Sequence, residues 1–438
     1  MHVDKTTLQD LSVFHQEEEQ SLFHHLNFTK TNGGREWLRY YLSTPLTHIH
    51  KIKDTQNTIK KIIPLRNQWP VKISNGTIMV IERFFETAID HLPDYANVFN
   101  TFIYKISNNQ DFALCKYSVS HYIDFVHGLQ QLVTLLQDDN NPLILETVLS
   151  RIQQLLKRPE LQNMLQTDKS KSLEPAAVLN YAAFIKNNFK QQTLELIDMF
   201  SQLDAYCSMA EAHQYYQFCF PEFIESDVPL LNSQQLYHPL LPTPVAYDVD
   251  LHQQQSFLFL TGANMAGKST FIKAVGLSAY LAHIGMGVPA KQMQLSLLDG
   301  LLSNINVVDN IIKGESYFFN EVQRIKNTIE RISDGKKWLI LIDELFKGTN
   351  VKDAMKCSTA VIEGLHKMKN VLFVLSTHLY EIGEGLKQYS NIQFRFFETN
   401  VENDQLVFSY QLKEGISNDR LGYLILKREG VIDILDKL

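Results

Sequence analysis

The sequence has no long apolar run and no excess of positive charge. Its apolar stretches are shorter than the roughly eighteen residues that a membrane-spanning helix needs, so we expect no membrane partner. The N-terminus, which begins Met1-His2-Val3, shows no basic patch followed by an apolar stretch, and we expect no secretory signal and a cytoplasmic location. The net charge of −7 excludes a protein that coats nucleic acid nonspecifically, because phosphate binding depends on Lys and Arg.

Cysteine is also scarce. The four cysteines are Cys115, Cys207, Cys219 and Cys357. They lie far apart among apolar neighbours and include no C-x-x-C pair of the kind that holds zinc. We therefore expect buried thiols and no zinc site.

The length and the change of pattern along the chain predict more than one domain. A chain of 438 residues is long enough for two to four domains. Helical periodicity dominates up to about residue 225, and short apolar runs alternate with helical patterns beyond it. The polar, proline-rich stretch 221–244 predicts the boundary. We expect an α + α/β fold class, with an all-helical domain over 1–225 and a domain with a mainly parallel sheet over 226–438.

Two stretches of the first half are patterned as helices. Trp37, Leu38, Tyr41 and Leu42 fall on one helical stripe, which Pro45 ends. A longer stripe with spacings of three, four and seven consists of Ile185, Phe189, Leu196, Phe200, Leu203, Cys207 and Ala210. Core packing alone would explain a stripe in a single helix, but a length of about 25 residues favours a long helix or coiled-coil arm that acts as a lever.

Three short apolar runs of the second half predict strands. They cover residues 257–260, 338–342 and 371–375, and stretches of helical length separate them. Continuous apolar runs of this kind are typical of buried parallel strands with helices on both faces of the sheet.

A glycine-rich loop follows the first of these runs. Residues 262–269, GANMAGKS, fit the pattern G-x-x-x-x-G-K-[ST] and lie between the predicted strand and a helical run at 271–282, which predicts a P-loop. Backbone N–H groups of such a loop converge on phosphate oxygens, Lys268 would reach the outer phosphates, and Ser269 would ligate Mg²⁺. The predicted ATP-binding residues are Gly262, Ala263, Asn264, Met265, Ala266, Gly267, Lys268, Ser269 and Thr270.

The second and third apolar runs also end in polar residues. Asp343 and Glu344 follow the second run and form a Walker B pattern, in which Asp343 would hold Mg²⁺ and Glu344 would polarise the attacking water. The alternative, a strand followed by a solvated acidic turn, would be preferred without the P-loop upstream. The third run ends in Ser376-Thr377-His378, and a histidine at a strand end is usually a hydrogen-bonded core residue. Beside the other two strand ends, His378 becomes a candidate catalytic sensor of the γ-phosphate.

These elements and their flanks resemble the ATPase domain of MutS proteins, the ABC-like ATPases of DNA mismatch repair. Residues 284–290 resemble the family's stretch ending in V-P-A, residues 314–321 resemble its S-T-F-x-x-E loop, and residues 343–350 resemble D-E-x-x-x-G-T. In the first half, residues 21–31 resemble the start of the MutS core, and residues 203–210 resemble L-D-x-x-x-S-x-A at the end of its lever helix. The resemblance spans nearly the whole chain.

The resemblance implies a dimer with composite ATP sites, in which Ser316 of one subunit completes the site of the other. It also implies ATP and Mg²⁺ as cofactors, DNA as a partner, and pairing with a second copy or with a longer relative. The chain departs from the family in two ways. We expect the core to begin near residue 8 with no mismatch-reading domain before it, and Ala263 and Ala266 replace residues that are usually Pro and Gly. Tyr247 is a candidate for the family's adenine-stacking aromatic.

Three functions remain open from the sequence. The first is a MutS-like ATPase that couples ATP binding and hydrolysis to a grip on DNA structure, in or near mismatch repair. The second keeps the ATPase and the dimer but makes the arms a surface that binds protein or RNA. The basic residues that favour DNA are Lys51, Lys53, Lys60, Lys61 and Arg66, although a solvated helix face would also explain them. The third, a small-molecule kinase, leaves Ser316 and His378 without a role.

Overall fold

The computed structural model describes residues 1–89, 92–93, 95–167, 173–306, 317–402, 405–417 and 434, with the backbone alone for 400–402 and 405–406. The helices are α1 (Lys5–Asp10), α2 (Leu22–Leu26), α3 (Asn32–Ser43), α4 (Ile49–Ile62), α5 (Asn75–Glu86), α6 (Val98–Ser107), α7 (Asn109–Leu136), α8 (Leu143–Leu156), α9 (Pro159–Leu165), α10 (Pro175–Ala183), α11 (Lys190–Tyr215), α12 (Lys268–Ile284), α13 (Tyr317–Ile332), α14 (Val351–Leu365) and α15 (Glu381–Leu386). The strands are β1 (His2–Val3), β2 (Glu222–Ile224), β3 (Leu231–Leu236), β4 (Tyr247–Leu251), β5 (Phe257–Thr261), β6 (Gln292–Ser296), β7 (Gly300–Asn304), β8 (Trp338–Asp343), β9 (Val371–Ser376), β10 (Ile392–Glu402) and β11 (Gln405–Glu414).

The chain divides into two compact units. The first comprises Met1–His25, Thr44–Lys53 and Tyr215–Leu438, and the second comprises Leu26–Ser43 and Asp54–Gln214. The prediction of one division near residue 225 differs from this arrangement, because residues 1–25 and 44–53 lie with the C-terminal unit. Backbone pairing explains the difference: β1 pairs in parallel with β7, and Leu46 N donates to His283 O over 2.7 Å.

The second unit is helical, as the periodicity predicts. The stripe at residues 37–42 lies in α3. The long stripe is not one α-helix, however: α11 carries its part from Leu196 to Ala210, and Ile185 belongs to a π-helical turn at Phe184–Asn188. Phe189 (φ −127°, ψ 11°) separates the two segments. Ile185 and Phe189 are nevertheless buried, so the apolar periodicity runs through a change of helix type.

A buried carboxylate joins α11 to the start of α3 within this unit. Asp204 is 1% exposed and accepts hydrogen bonds from Lys30 N, Thr31 N and the Thr31 hydroxyl over 2.7–3.1 Å. A Cβ at residue 34 would lie 2.2 Å from Asp204 Oδ2, so Gly34 is required for the close approach. Because a buried charge is costly without such partners, this contact explains why Asp204 stands in an otherwise apolar stripe.

The first unit contains two sheets. The larger has the strand order β1-β7-β8-β9-β5-β10-β11 and is parallel except for the β10–β11 pair, and the smaller has the order β2-β6-β3-β4. The three predicted strands are confirmed as β5, β8 and β9, in which every residue is buried. Their apolar composition on both faces follows from this central position, and an α + α/β architecture results.

Two further expectations from the sequence concern membrane helices and cysteines. No described helix is both long and apolar enough to cross a bilayer. All four cysteines are free thiols, but only Cys115 and Cys207 are buried, whereas Cys219 and Cys357 are half-buried. Burial raises the pKa of the Cys115 and Cys219 thiols to about 11.

A buried histidine links α12 to two loops of the first unit. Leu298 N donates to His283 Nε2 over 3.2 Å, so the ring proton lies on Nδ1, which donates to Leu46 O over 3.1 Å. Both ring nitrogens are satisfied only in the neutral form. Burial accordingly lowers the pKa of His283 to about 4.

We predict that His283 makes stability fall in mild acid. Its pKa is about 4 in the folded protein, below the ordinary value of 6.5, so between these values the unfolded chain binds a proton that the folded chain does not. The free energy of unfolding should therefore drop by about 1.4 kcal/mol per pH unit as the pH falls through this window. In His283→Asn, the free energy of unfolding, measured by urea denaturation between pH 7.5 and 4.5, should change less steeply with pH. The same pH dependence in the two proteins would contradict the assignment.

Candidate functional site

Polar side chains meet at the carboxyl edge of the larger sheet. The strands β8, β9 and β5 are neighbours and parallel, so their carboxyl ends share one edge. Asp343 closes β8; its Oδ2 accepts a hydrogen bond from the Ser269 hydroxyl over 2.5 Å, and its Oδ1 accepts one from the Ser376 hydroxyl at the end of β9. One carboxylate therefore connects the ends of β8 and β9 to the first turn of α12.

The glycine-rich loop between β5 and α12 is shaped by three residues with positive φ. These are Gly262 (φ 139°), Met265 (φ 68°) and Gly267 (φ 105°). Phe397 packs so closely that a Cβ at residue 262 would lie 3.1 Å from its carbonyl oxygen, and this contact and the positive φ both favour glycine there. Lys268 opens α12 and folds back over the loop, where its Nζ donates to Gly262 O and Ala263 O over 2.8 and 2.9 Å.

The Lys268 ammonium lies in a partly desolvated setting. Lys268 is 5% exposed, and burial lowers its pKa to about 8, although the nearby carboxylates Glu344 and Asp343 act in the opposite direction. A cation that is held only by two neutral carbonyls and by carboxylates at longer range is well placed to receive an anion. The loop and this lysine lie at the N-terminus of α12, an arrangement that suits an anion.

Glu344 lies between two basic side chains. Its Oε1 is in ion-pair contact with His378 Nε2, and its Oε2 lies 3.1 Å from Lys347 Nζ. Burial acts to raise the pKa of this carboxyl, but the contacts with His378 and Lys347 outweigh it and lower the pKa to about 2. Glu344 is therefore a carboxylate at neutral pH, and Lys347, whose pKa is raised by it against the effect of burial, stays protonated.

The structure brings most of the predicted site residues together. Lys268, Ser269, Asp343, Glu344 and His378 lie around one edge of the sheet, joined by the contacts above. Asn264 and Met265 are exposed at the loop tip, and Thr270 lies in the first turn of α12. Ser316 lies outside the described residues. The roles predicted for these residues stay predictions.

Several contributors at this edge had no assigned role in the sequence. Ser376 was noted only as part of a motif, yet its hydroxyl binds Asp343. Lys347 pairs with Glu344, and the Glu321 carboxylate accepts hydrogen bonds from Lys347 N and Gly348 N over 3.0 and 3.1 Å. Glu321 and Lys347 both stand in motifs that the sequence shows, but no spacing rule indicates that α13 contacts the turn after β8.

An aromatic cluster adjoins the glycine-rich loop. Tyr247 packs edge-to-face on Phe271 and Phe397, with ring centroids 5.4 and 5.5 Å apart. A Cβ at Gly267 would lie 3.5 Å from Tyr410 Cδ1, and Tyr410 is 42% exposed. The guess that Tyr247 stacks on adenine stays a prediction, and Tyr410 is a second aromatic beside the loop that the sequence did not point to.

The oxygen donors at the strand ends suit Mg²⁺. The Ser269 hydroxyl and the Asp343 carboxylate are 2.5 Å apart, and hard oxygen donors of these two types are what magnesium takes in proteins when phosphate oxygens and water complete its shell. The pair adjoins the anion-binding loop. The residues present therefore fit the predicted ion.

Two family models match this chain. The model described as MutS domain III matches residues 6–210, and the one described as MutS domain V matches residues 258–433. The second match contains the glycine-rich loop, the end of β8 and the end of β9. The first covers the helical stretch that contains Asp204.

The chain is also similar to curated proteins named DNA mismatch repair protein MutS. The protein of Petrotoga mobilis is 28% identical over 250 residues, which are 56% of this chain and 30% of that protein. The protein of Listeria innocua is 30% identical over 273 residues, or 61% of this chain and 31% of that protein. That of Oceanobacillus iheyensis is 28% identical over 283 residues, with coverages of 62% and 31%. The matched part thus spans less than a third of the length of these relatives.

We predict opposite effects of alanine at two glycines of the first unit. Gly262→Ala puts a Cβ against Phe397 O at a positive φ and should lower the free energy of unfolding by roughly 1–3 kcal/mol. Gly364→Ala is the matched control, because it lies in α14 with open space around the new Cβ, and it should raise stability by roughly 0.5–1 kcal/mol. Urea unfolding measures both; equal effects would contradict the loop geometry.

Proposed function

The chain belongs to the MutS family, and we propose that it is an ATP-binding and ATP-hydrolysing member that acts as a dimer and couples its nucleotide cycle to a grip on DNA. The observation that carries the proposal is the position of Asp343, whose carboxylate binds Ser269 of the glycine-rich loop and Ser376 at the end of β9. Motifs that are 74 and 33 residues from Asp343 in sequence thereby form one site.

The residues at this edge divide the work of phosphoryl transfer. The loop amides and Lys268 would bind the phosphates, and Ser269 and Asp343 would hold Mg²⁺, which neutralises charge on the transferred phosphoryl group when bound. Glu344 would orient and polarise the attacking water, because it is ionised and lies beside the phosphate-binding loop. His378 contacts Glu344 directly and would sense the state of this carboxylate and of the γ-phosphate.

We predict that Glu344→Gln separates ATP binding from hydrolysis. The amide cannot act as a base, so hydrolysis should fall by roughly 10²- to 10⁴-fold, while Lys268, Ser269 and Asp343 keep the nucleotide bound. Steady-state phosphate release and equilibrium binding of a fluorescent ATP analogue measure the two properties.

Lys268→Ala is the contrasting variant in this experiment. It removes the cation that the loop positions, so binding itself should be lost. Wild-type turnover in Lys268→Ala would sink the assignment of the ATP site, and wild-type turnover in Glu344→Gln would move the base to another residue.

The dimer proposal rests on the resemblance of residues 314–321 to the family's serine loop. If Ser316 serves the site of the partner subunit, a mixed dimer of Ser316→Arg with Lys268→Ala has one site with both lesions and one intact site. We predict that a dimer with one subunit of each inactive variant recovers roughly half of the ATP hydrolysis of the wild-type dimer. Co-expression with two affinity tags isolates mixed dimers for the assay. Activity no higher than that of the separate variants, in dimers shown to be mixed, would exclude a serine supplied by the partner.

One observation in the helical unit favours a protein partner, as in the second candidate. The exposed face of α6 carries Val98, Phe99, Phe102, Ile103 and Ile106, each 50–84% exposed. A contiguous apolar stripe of this kind is typical of protein contacts, whereas DNA binding depends on basic side chains. Two of the basic residues that favoured DNA are paired with acids: Lys61 contacts Asp138, and Arg66 Nε lies 3.4 Å from Glu211 Oε2.

Binding to DNA across a salt series separates the two candidates. If DNA is the partner, affinity for duplex, branched or single-stranded DNA should weaken by at least about tenfold between 50 and 200 mM salt and should change with an ATP analogue, because phosphate contacts release counterions. No binding at 50 mM salt, in protein that hydrolyses ATP, would leave the protein-binding candidate.

A further inference from the structure

The turn that follows β8 has an unusual backbone. Glu344 (φ 63°) and Phe346 (φ 59°) both adopt positive φ, although neither is glycine. A residue with a side chain is strained in this conformation, which persists only where its surroundings hold it. The direction of the Glu344 side chain depends on this backbone, so whatever holds the turn also aims the carboxylate.

The start of α13 holds the far end of this turn. Glu321 is 4% exposed, and its two carboxylate oxygens accept hydrogen bonds from Lys347 N and Gly348 N over 3.0 and 3.1 Å. One turn earlier in α13, the Phe318 ring lies 5.7 Å from the ring of Phe346, which is buried. Glu344 N donates to Ser376 O over 3.0 Å at the near end.

Gly348 permits this contact. A Cβ at residue 348 would lie 2.7 Å from Tyr317 Cδ1 and 2.8 Å from Phe318 N, closer than real Cβ atoms approach backbone. The turn and α13 therefore fit together only with glycine at this position. The carboxylate, the aromatic pair and the glycine are three separate contacts between the same two segments.

We infer that Glu321 is a positioning residue for hydrolysis: by binding the backbone of Lys347 and Gly348 with both oxygens, it fixes the strained turn that aims Glu344. The inference rests on the proposed ATPase function. Glu321 needs no contact with nucleotide, because both of its oxygens are engaged by the turn. Lys347, whose backbone it binds, in turn places its Nζ 3.1 Å from Glu344 Oε2.

Glu321→Gln tests the inference with little change of size. The amide group keeps one acceptor oxygen but points an NH₂ donor at a backbone N–H, so one hydrogen bond is lost and the other is no longer charge-assisted. Glu330→Gln is the matched control, since Glu330 is an exposed residue of the same helix, in an exposed ion pair of 3.8 Å with Lys326. Gly348→Ala disturbs the same contact from the turn side without changing the carboxylate.

The measurements are kcat, affinity for an ATP analogue, and amide hydrogen exchange at residues 347 and 348. We expect Glu321→Gln and Gly348→Ala to lower kcat at least about tenfold, to leave nucleotide affinity within about twofold, and to speed exchange of the two amides at least about tenfold. Glu330→Gln should match wild type in all three.

Either of two kinetic results would overturn the inference alone: wild-type kcat in Glu321→Gln, or a parallel loss of nucleotide affinity and kcat that marks a general structural role. Unchanged exchange at residues 347 and 348 in Glu321→Gln would also overturn it, whether or not ATP is hydrolysed. Absence of turnover in wild type and Glu330→Gln would instead overturn the proposed function.

Discussion

The carboxylate of Asp343 is the contact on which the site depends. It closes a fully buried strand and accepts the hydroxyl groups of Ser269 and Ser376, so the glycine-rich loop and the end of β9 take their positions from one side chain. A carboxylate that lacked these donors would be costly at the edge of an apolar sheet. The sheet supplies the rigid frame because its central strands are buried on both faces, and the polar groups gather at the edge where those strands end.

The second constraint is backbone strain, and it is distributed around the same edge. Gly262 and Gly267 take positive φ at no steric cost, and the close approach of Phe397 explains why residue 262 is glycine. Met265, Glu344 and Phe346 adopt positive φ without that freedom. Glu344 and Phe346 are held by hydrogen bonds and packing from neighbouring segments, so strained backbone lies beside the polar side chains at this edge.

The elements with local patterns could be predicted from the sequence, and the contacts between distant segments could not. The strands β5, β8 and β9 follow from apolar runs, and a spaced motif marks the glycine-rich segment between β5 and the start of α12. The π-helical turn at Phe184–Asn188 leaves the apolar periodicity intact, so the stripe alone does not reveal it. The pairing of β1 with β7 and the two hydrogen bonds of Glu321 join residues far apart in sequence, for which no spacing carries a signal.

The charges at the site form a balanced set before any anion arrives. Lys268 is held by two carbonyl oxygens of its own loop, and burial lowers its pKa to about 8, while Glu344 is held ionised by His378 and Lys347. In the proposed ATP site, a phosphate would compete with neutral carbonyls for the Lys268 ammonium and would not have to displace a carboxylate from it. Because Glu344 has its own basic partners in Lys347 and His378, it does not pair directly with Lys268, which suits the separate roles proposed for the two groups.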